Sequence, residues 1–334
     1  MLLELIIKPT EICNFACTFC SSTNISQSKK SVLSLDKVFE FLDRFPDTNT
    51  IIVNGGDPLI MSPSYYDKLI NFLDQREMPT TISLTSNLWD FYQRPDKWVD
   101  IFKNERVGVT TSFNYGETRR ITKSKVFTED IFWKVSNLFL EKIGYRPDFI
   151  SVVAEENEDT AIDNVRLAKR MGVECKLNYA MASGDQSRPY QLSKIYELYL
   201  KVIDEGLLDW EFNSKQMIKR LRGSNTVCPQ NRDCDKNIRC LQPEGDYYSC
   251  GAFGDDDEYP IDFDKEMASK EVTLPLSQVY EINSLKDECY TCPMFSICNG
   301  CKKTIQDLKR HEMIDDHCSL MKTLANRIVD LNEH

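Results

Sequence analysis

The run Leu2-Leu3-Glu4-Leu5-Ile6-Ile7-Lys8-Pro9-Thr10-Glu11-Ile12-Cys13-Asn14-Phe15-Ala16-Cys17-Thr18-Phe19-Cys20 decides the fold. Its first half alternates and is rich in branched apolar residues, which predicts a strand over 2–9. Its second half sets three cysteines at intervals of four and three on the loop that leaves that strand. Three thiolates on so tight a loop can hold three irons of a cubane. The fourth iron is then open to an amino and carboxylate pair from a small molecule. Zinc would want a fourth protein ligand or a water, and no histidine or further cysteine lies nearby.

Outward from this run, short Ile-, Val- and Thr-rich stretches predict further strands over 50–54, 81–86, 106–112, 148–153 and 174–180. Amphipathic stretches fall between them. Ser34 caps one, with Leu35, Val38, Phe41, Leu42 and Phe45 on a common face. Ser62 and Pro63 open another, Thr128 opens a third ended by Gly144, and residues 159–171 form a fourth ended by Gly172. Six strands alternating with helices predict parallel βαβ units. Six units are two short of a closed eight-fold barrel. The expected fold is therefore α/β, a partial (β/α)6 TIM barrel over 1–185 with a lateral mouth. The cysteine loop lies at the carboxyl end of its first strand, where barrel active sites form.

A helical bridge is expected over 186–227, a cysteine-rich region over 228–318 and a short amphipathic helix over 319–334. Thirteen cysteines stand against three histidines in 334 residues. An odd count, a long chain and no export signal argue for thiolate metal ligation in a reducing compartment, and so for a cytoplasmic protein. No apolar run approaches the length that spans a bilayer, so no membrane partner is expected. In 228–318 helical periodicity is mostly missing while Cys, Gly, Asp and Pro are dense, so this region is expected to fold around metal. Its intervals are Cys228-x5-Cys234-x15-Cys250, then Cys289-x2-Cys292-x5-Cys298-x2-Cys301-x16-Cys318. Eight thiolates make two four-ligand sites, iron–sulfur or zinc. Cys240 and Cys175 are left over.

The net charge of −11 argues against binding long nucleic acid, which needs a basic face. Gly254-Asp255-Asp256-Asp257-Glu258, followed by Asp262 and Asp264, reads either as a solvated loop or as a collar for a cationic peptide.

The C-x3-C-x2-C loop, with Phe19 before its third cysteine, resembles the radical S-adenosylmethionine (radical SAM) superfamily. After the second strand, Asn54-Gly55-Gly56-Asp57-Pro58 resembles that family's Gly-Gly-Glu-Pro motif, with Asp in place of Glu. The resemblance implies a [4Fe–4S] cluster on Cys13, Cys17 and Cys20. That cluster would cleave S-adenosylmethionine to methionine and a 5′-deoxyadenosyl radical that abstracts a substrate hydrogen. It further implies that Gly55, Gly56 and Asp57 hold the methionyl amine. Strand-end residues, among them Ser86, Ser112, Asn157 and Asn178, would meet the rest of the cosubstrate, although each also suits a capping role.

The C-terminal pattern, with Gly245-x4-Cys250 ahead of the four-cysteine knot, resembles the SPASM auxiliary domain. One departure is the two-residue third interval of the knot, where the family usually has three. By this resemblance Cys228, Cys234, Cys250 and Cys301 hold one auxiliary [4Fe–4S] cluster and Cys289, Cys292, Cys298 and Cys318 another. The total is then three, with the auxiliary pair handling electrons. It also implies an external donor such as flavodoxin or ferredoxin, and a peptide substrate that is crosslinked or oxidised. Gly251 stands where sulfatase-maturing relatives carry Asp, which disfavours that activity, and Cys13 lies too early for a preceding recognition domain. A nucleotide or DNA base is the other substrate class, and a zinc-bearing binding module the alternative outside enzymes.

Overall fold

A computed structural model of the chain describes residues 3–22, 30–182, 189–223, 238–262, 289, 291–298 and 301–331. Six parallel strands form its centre: β1 (Leu3–Ile7), β2 (Thr48–Val53), β3 (Thr81–Thr85), β4 (Val107–Ser112), β7 (Phe149–Val153) and β8 (Cys175–Tyr179). Each expected strand is present, with ends displaced by two residues or fewer. A small hairpin, β5 (Arg120–Thr122) with β6 (Lys125–Val126), stands apart from the sheet.

Helices follow where the periodicity places them. α1 (Leu35–Arg44) starts at Ser34, whose hydroxyl accepts from the Asp36 N–H, and it buries Val38, Phe41 and Leu42. α2 (Pro63–Gln75) buries Tyr65, Tyr66, Leu69, Ile70 and Leu73. Two short helices absent from the sequence reading, α3 (Trp89–Gln93) and α4 (Val99–Phe102), cross from β3 to β4. α5 (Glu129–Ile143) and α6 (Ala161–Met171) end at Gly144 and Gly172, both at positive φ. In β7 and β8 buried and half-buried residues alternate. Phe149, Ser151 and Val153 lie under the helices, while Val152, Lys176 and Asn178 face the concave side and line its cavity.

The sheet does not stop at six strands. β9 (Ile238–Leu241) pairs in parallel with β1, and β10 (Tyr247–Tyr248) closes a hairpin on it. The order among the described residues is β10-β9-β1-β2-β3-β4-β7-β8, an open partial barrel whose edge strands carry single bridges, Tyr247 to Ile261 and Cys175 to Glu211. All four β9 residues are buried, so no alternation marked it as a strand.

In the bridge, α7 (Leu192–Asp204) and α8 (Phe212–Leu221) pack beside β8. The cysteine-rich region contributes α9 (Gly251–Asp255), α10 (Phe295–Cys298), α11 (Lys302–Arg310) and α12 (Ile314–Asp330). α12 begins at Ile314, before the expected 319, so Cys318 is presented from within a helix. Asp315 and Asp316 in its first turn favour that start. Tyr196 of α7 and Arg220 of α8 both donate to the Ile297 carbonyl at 3.0 Å. Met294 and Ile297 are buried beside them. No helix among the described residues is long and apolar enough to cross a membrane.

Candidate active site

The cysteine loop is held by the backbone on two sides. Asn54, Gly56 and Asp57 donate their N–H groups to the carbonyls of Ile7, Thr10 and Ile12 at 2.9–3.1 Å. From the other side, the Ala16 and Thr18 N–H groups donate to the carbonyls of Arg120 and Thr118 at 2.8 and 3.0 Å. The glycines make the first contact possible. Gly55 has φ +118°, and a Cβ there would lie 2.5 Å from the Thr10 carbonyl oxygen. At Gly56 a Cβ would come within 2.2 Å of the Ile12 carbonyl oxygen. These two glycines thus let the β2 loop close on the cysteine loop.

Asp57 is 1% exposed and its carboxylate is engaged within the protein. It accepts from the Ser86 hydroxyl at 3.0 and 3.1 Å and from the N–H groups of Leu59 and Asn87, both at 2.9 Å. Burial is the largest influence on it and pushes its carboxyl up to about 6. In this arrangement Asp57 ties the ends of β2 and β3 together, with Ser86 as its partner. Asn87 carries the tie onward: its side-chain amide donates to Asn14 at 2.7 Å and lies 3.8 Å from the Cys13 sulfur.

A cavity of about 430 Å³ opens at the carboxyl ends of β1, β2, β7 and β8. Of the residues singled out from sequence, Phe19, Cys20, Gly55, Asn178 and Cys250 line it. Asn157 carries a packing role: its amide bonds Ala154 N, Val152 O and the Thr118 hydroxyl at 2.8–3.2 Å. Ser112 is buried at the end of β4. Asn54 of the glycine motif, Gly251 and Asp255 of the acidic run also face it, as do Lys8 and Lys176, which sequence reasoning did not single out. Strand alternation carries a signal for these two, since Lys8 continues the inward positions just past the end of β1 and Lys176 is on an inward position of β8.

Arg119 is another residue the sequence did not mark. It is 7% exposed, its guanidinium carbon sits 5.3 Å from the centre of the Phe19 ring, and its Nε is buried with no hydrogen-bond partner. The Asn54 side-chain Oδ1 is likewise buried and unsatisfied. Asn54 lines the cavity, and Arg119 packs over Phe19 of its wall; an open donor and an open acceptor are what a bound zwitterion would satisfy.

On the C-terminal side, Cys250 caps the start of α9 and Cys301 the start of α11. Cys298 lies 3.5 Å from His317 Nε2, and burial pushes that imidazole down to about 4. Cys289, Cys292 and Cys318 are half-buried. Cys228 and Cys234 lie outside the described residues. Cys240 sits buried on β9, its thiol pushed up to about 12 by burial, and Cys175 is buried on β8.

In the acidic run three carboxylates are paired, while Asp257 and Asp262 are exposed and Asp264 lies outside the described residues. Asp255 pairs with Lys8, Asp256 with Lys303 at 2.7 Å, and Glu258 with Arg310; the Tyr248 hydroxyl lies 3.5 Å from Asp257.

The profile of the family described as "Radical SAM superfamily" matches residues 7–186. The chain belongs to this superfamily and is an enzyme. No curated protein matches it. Among solved structures, anSMEcpe with bound AdoMet is similar over 100% of this chain and 96% of its own, at 16% identity and TM-score 0.73. Native anSMEcpe with bound AdoMet and Cp18Cys peptide gives 16% identity and TM-score 0.72 over 100% and 99%. SuiB from Streptococcus suis bound to precursor peptide SuiA gives 17% identity and TM-score 0.61 over 90% and 71%. At such identities the likeness is one of fold.

Membership implies a [4Fe–4S] cluster and S-adenosylmethionine. The donor set fits the cluster: Cys13, Cys17 and Cys20 are soft thiols with no histidine among them. Cys17 and Cys20 lie close enough for their charge to act on Cys13, and burial pushes the Cys13 thiol up, an effect a bound cation reverses. Among the described residues no three metal-ligating side chains already converge on one point. The fit therefore rests on the loop and its donors. The unpaired Arg119 and Asn54 atoms fit the cosubstrate.

Proposed function

We propose that this enzyme abstracts a hydrogen from a peptide substrate and leaves it crosslinked or oxidised. In this reading Cys13, Cys17 and Cys20 hold one [4Fe–4S] cluster. Cys228, Cys234, Cys250 and Cys301 hold a second, and Cys289, Cys292, Cys298 and Cys318 a third, in a SPASM-type region. When bound, the first cluster and its cosubstrate supply one-electron cleavage of a sulfonium carbon–sulfur bond. An external donor of the flavodoxin or ferredoxin kind delivers the electron.

The chain's own residues do the positioning. Arg119 offers a buried cation for a carboxylate, and the Asn54 side-chain Oδ1 accepts from an ammonium group. Asp57, Ser86 and Asn87 fix the strand ends behind Cys13, so the loop keeps its place as the cavity fills. Asn178 and Lys176 form the opposite wall and offer polar groups to a ribose or a substrate.

The observation that carries the reading is that one cavity is walled by both cysteine regions, with Cys20 on one side and Cys250 on the other. The whole-chain likeness to anSMEcpe, solved with AdoMet and a peptide, supports peptide over nucleotide as substrate. The test follows label. Dithionite-reduced, anaerobically reconstituted enzyme should form 5′-deoxyadenosine from S-adenosylmethionine, and Cys17→Ala should form none. With a deuterated peptide pool the product should carry deuterium. Label arriving from deuterated nucleotides instead would overturn the substrate assignment.

A further inference from the structure

The Lys8 ammonium is the point where the two cysteine regions meet. Lys8 follows β1, and its own N–H donates to the Leu241 carbonyl of β9 at 3.0 Å. Its Nζ lies 3.2 Å from the Glu11 carboxylate, two residues before Cys13, and in contact with Asp255, five residues after Cys250. The three side chains are 6%, 2% and 9% exposed. Neither Glu11 carboxylate oxygen has a hydrogen-bond partner, which leaves Lys8 as the cation that answers it. One buried ammonium therefore faces two buried carboxylates, one of them 247 residues further along the chain.

The segment it grips is the cavity wall. Gly251, Ala252 and Asp255 line the cavity together with Lys8 and Cys20. Beyond Asp255 the same segment is fixed from behind, through Asp256 to Lys303 and through Glu258 to Arg310. Those two pairs hold it to α11, which starts at Cys301. Lys8 is thus the inner anchor of a wall whose outer anchors are on the cysteine-rich side. A buried charge pair broken on one side leaves the other charge uncompensated, so the wall cannot stay where it is once the ammonium is gone.

We propose that Lys8 is a positioning residue: through Glu11 and Asp255 it sets the α9 wall against the Cys13–Cys20 loop and so fixes the width of the cosubstrate cavity. This rests on the radical SAM reading of that cavity. The test uses the full chain, anaerobically reconstituted, with S-adenosylmethionine alone as probe. Lys8→Met is expected to raise amide exchange at Gly254, Asp256 and Glu258 by about tenfold or more, because local opening becomes easier. It should raise the KM for S-adenosylmethionine more than it lowers kcat, while iron per chain is unchanged. Lys8→Arg should recover most of both losses, and the exchange Lys8→Asp with Asp255→Lys should recover the protection. Should Lys8→Met fold poorly, Asp255→Asn removes the same attraction without changing size and should show the same exchange signature. Unchanged protection at 254–258 would overturn the proposal. So would iron lost from Lys8→Met and not regained in Lys8→Arg, since that marks a structural role only. If the wild-type enzyme cleaves no S-adenosylmethionine, the function proposed above fails, yet the exchange data still decide what Lys8 does.

Discussion

The loop that carries Cys13, Cys17 and Cys20 is held by main-chain hydrogen bonds from the β2 loop and the β5 hairpin, backed by the Asp57–Ser86–Asn87 tie. The wall that carries Cys250 is held by side-chain charges: Lys8, Lys303 and Arg310 each answer one carboxylate of the run 255–258. Further along, among the described residues of 289–301, Met294 and Ile297 are buried and the Ile297 carbonyl accepts from Tyr196 and Arg220. The first region is tied by main-chain hydrogen bonds to loops at the ends of the sheet's strands. The second depends on distant ion pairs and on whatever its thiolates bind, because it has few apolar residues of its own to bury.

Removing iron should separate the two regions most sharply. Chelation under reducing conditions is expected to expose 289–318 to limited proteolysis while 3–180 stays resistant. Simultaneous cleavage of both would break the comparison. Next in size is Lys303→Met. Lys303 is 1% exposed and pairs with Asp256 and Asp307. Losing it strands two carboxylates and should cost about 3 kcal/mol in denaturant unfolding of the C-terminal part. Asp57→Ala probes the other region. It leaves the Ser86 hydroxyl and two buried N–H groups without an acceptor, and should cost about 2 kcal/mol with a clear fall in cleavage rate, since Asn87 and Cys13 lose their support.

The smallest effect is a pH dependence at the join between barrel and bridge. Glu211 is buried and accepts from the N–H groups of Leu177, Asn213 and Ser214. Burial holds its carboxyl above the ordinary 4.5. A raised native value means the folded state binds the proton more tightly. The favourable term is then full below 4.5 and is lost as pH rises through the native value. Relative to wild type, Glu211→Gln should therefore gain stability as pH is raised from 4.5 to 7, as read from paired denaturant midpoints. An offset independent of pH would show that the Glu211 carboxyl binds its proton no more tightly in the native protein than in the unfolded chain.

What could be read from sequence divides along the same line. The six parallel strands were legible because each is short, branched-apolar and followed by a capped amphipathic helix. The cysteine loop was legible because its ligands lie within eight residues of one another. α3 and α4 were not, since four or five residues show no helical period. β9 was hidden because a strand buried on both faces, with Arg239 and Cys240 inside it, neither alternates nor reads as an apolar run. Asp57 illustrates a subtler gap. Its motif was visible, but that its carboxylate is spent on Ser86, Leu59 and Asn87 depends on how β3 ends beside β2. The pairing of Asp255, Asp256 and Glu258 was hidden for a similar reason. Local composition shows five residues with four negative charges, and nothing local shows that Lys8, Lys303 and Arg310 fold back onto them.

The most direct test of the account counts iron. Anaerobically purified wild-type protein should hold about twelve irons per chain, and a variant with Cys13, Cys17 and Cys20 all changed to Ala about eight, still folded and still brown. A colourless wild-type protein holding about two zinc ions instead would contradict it.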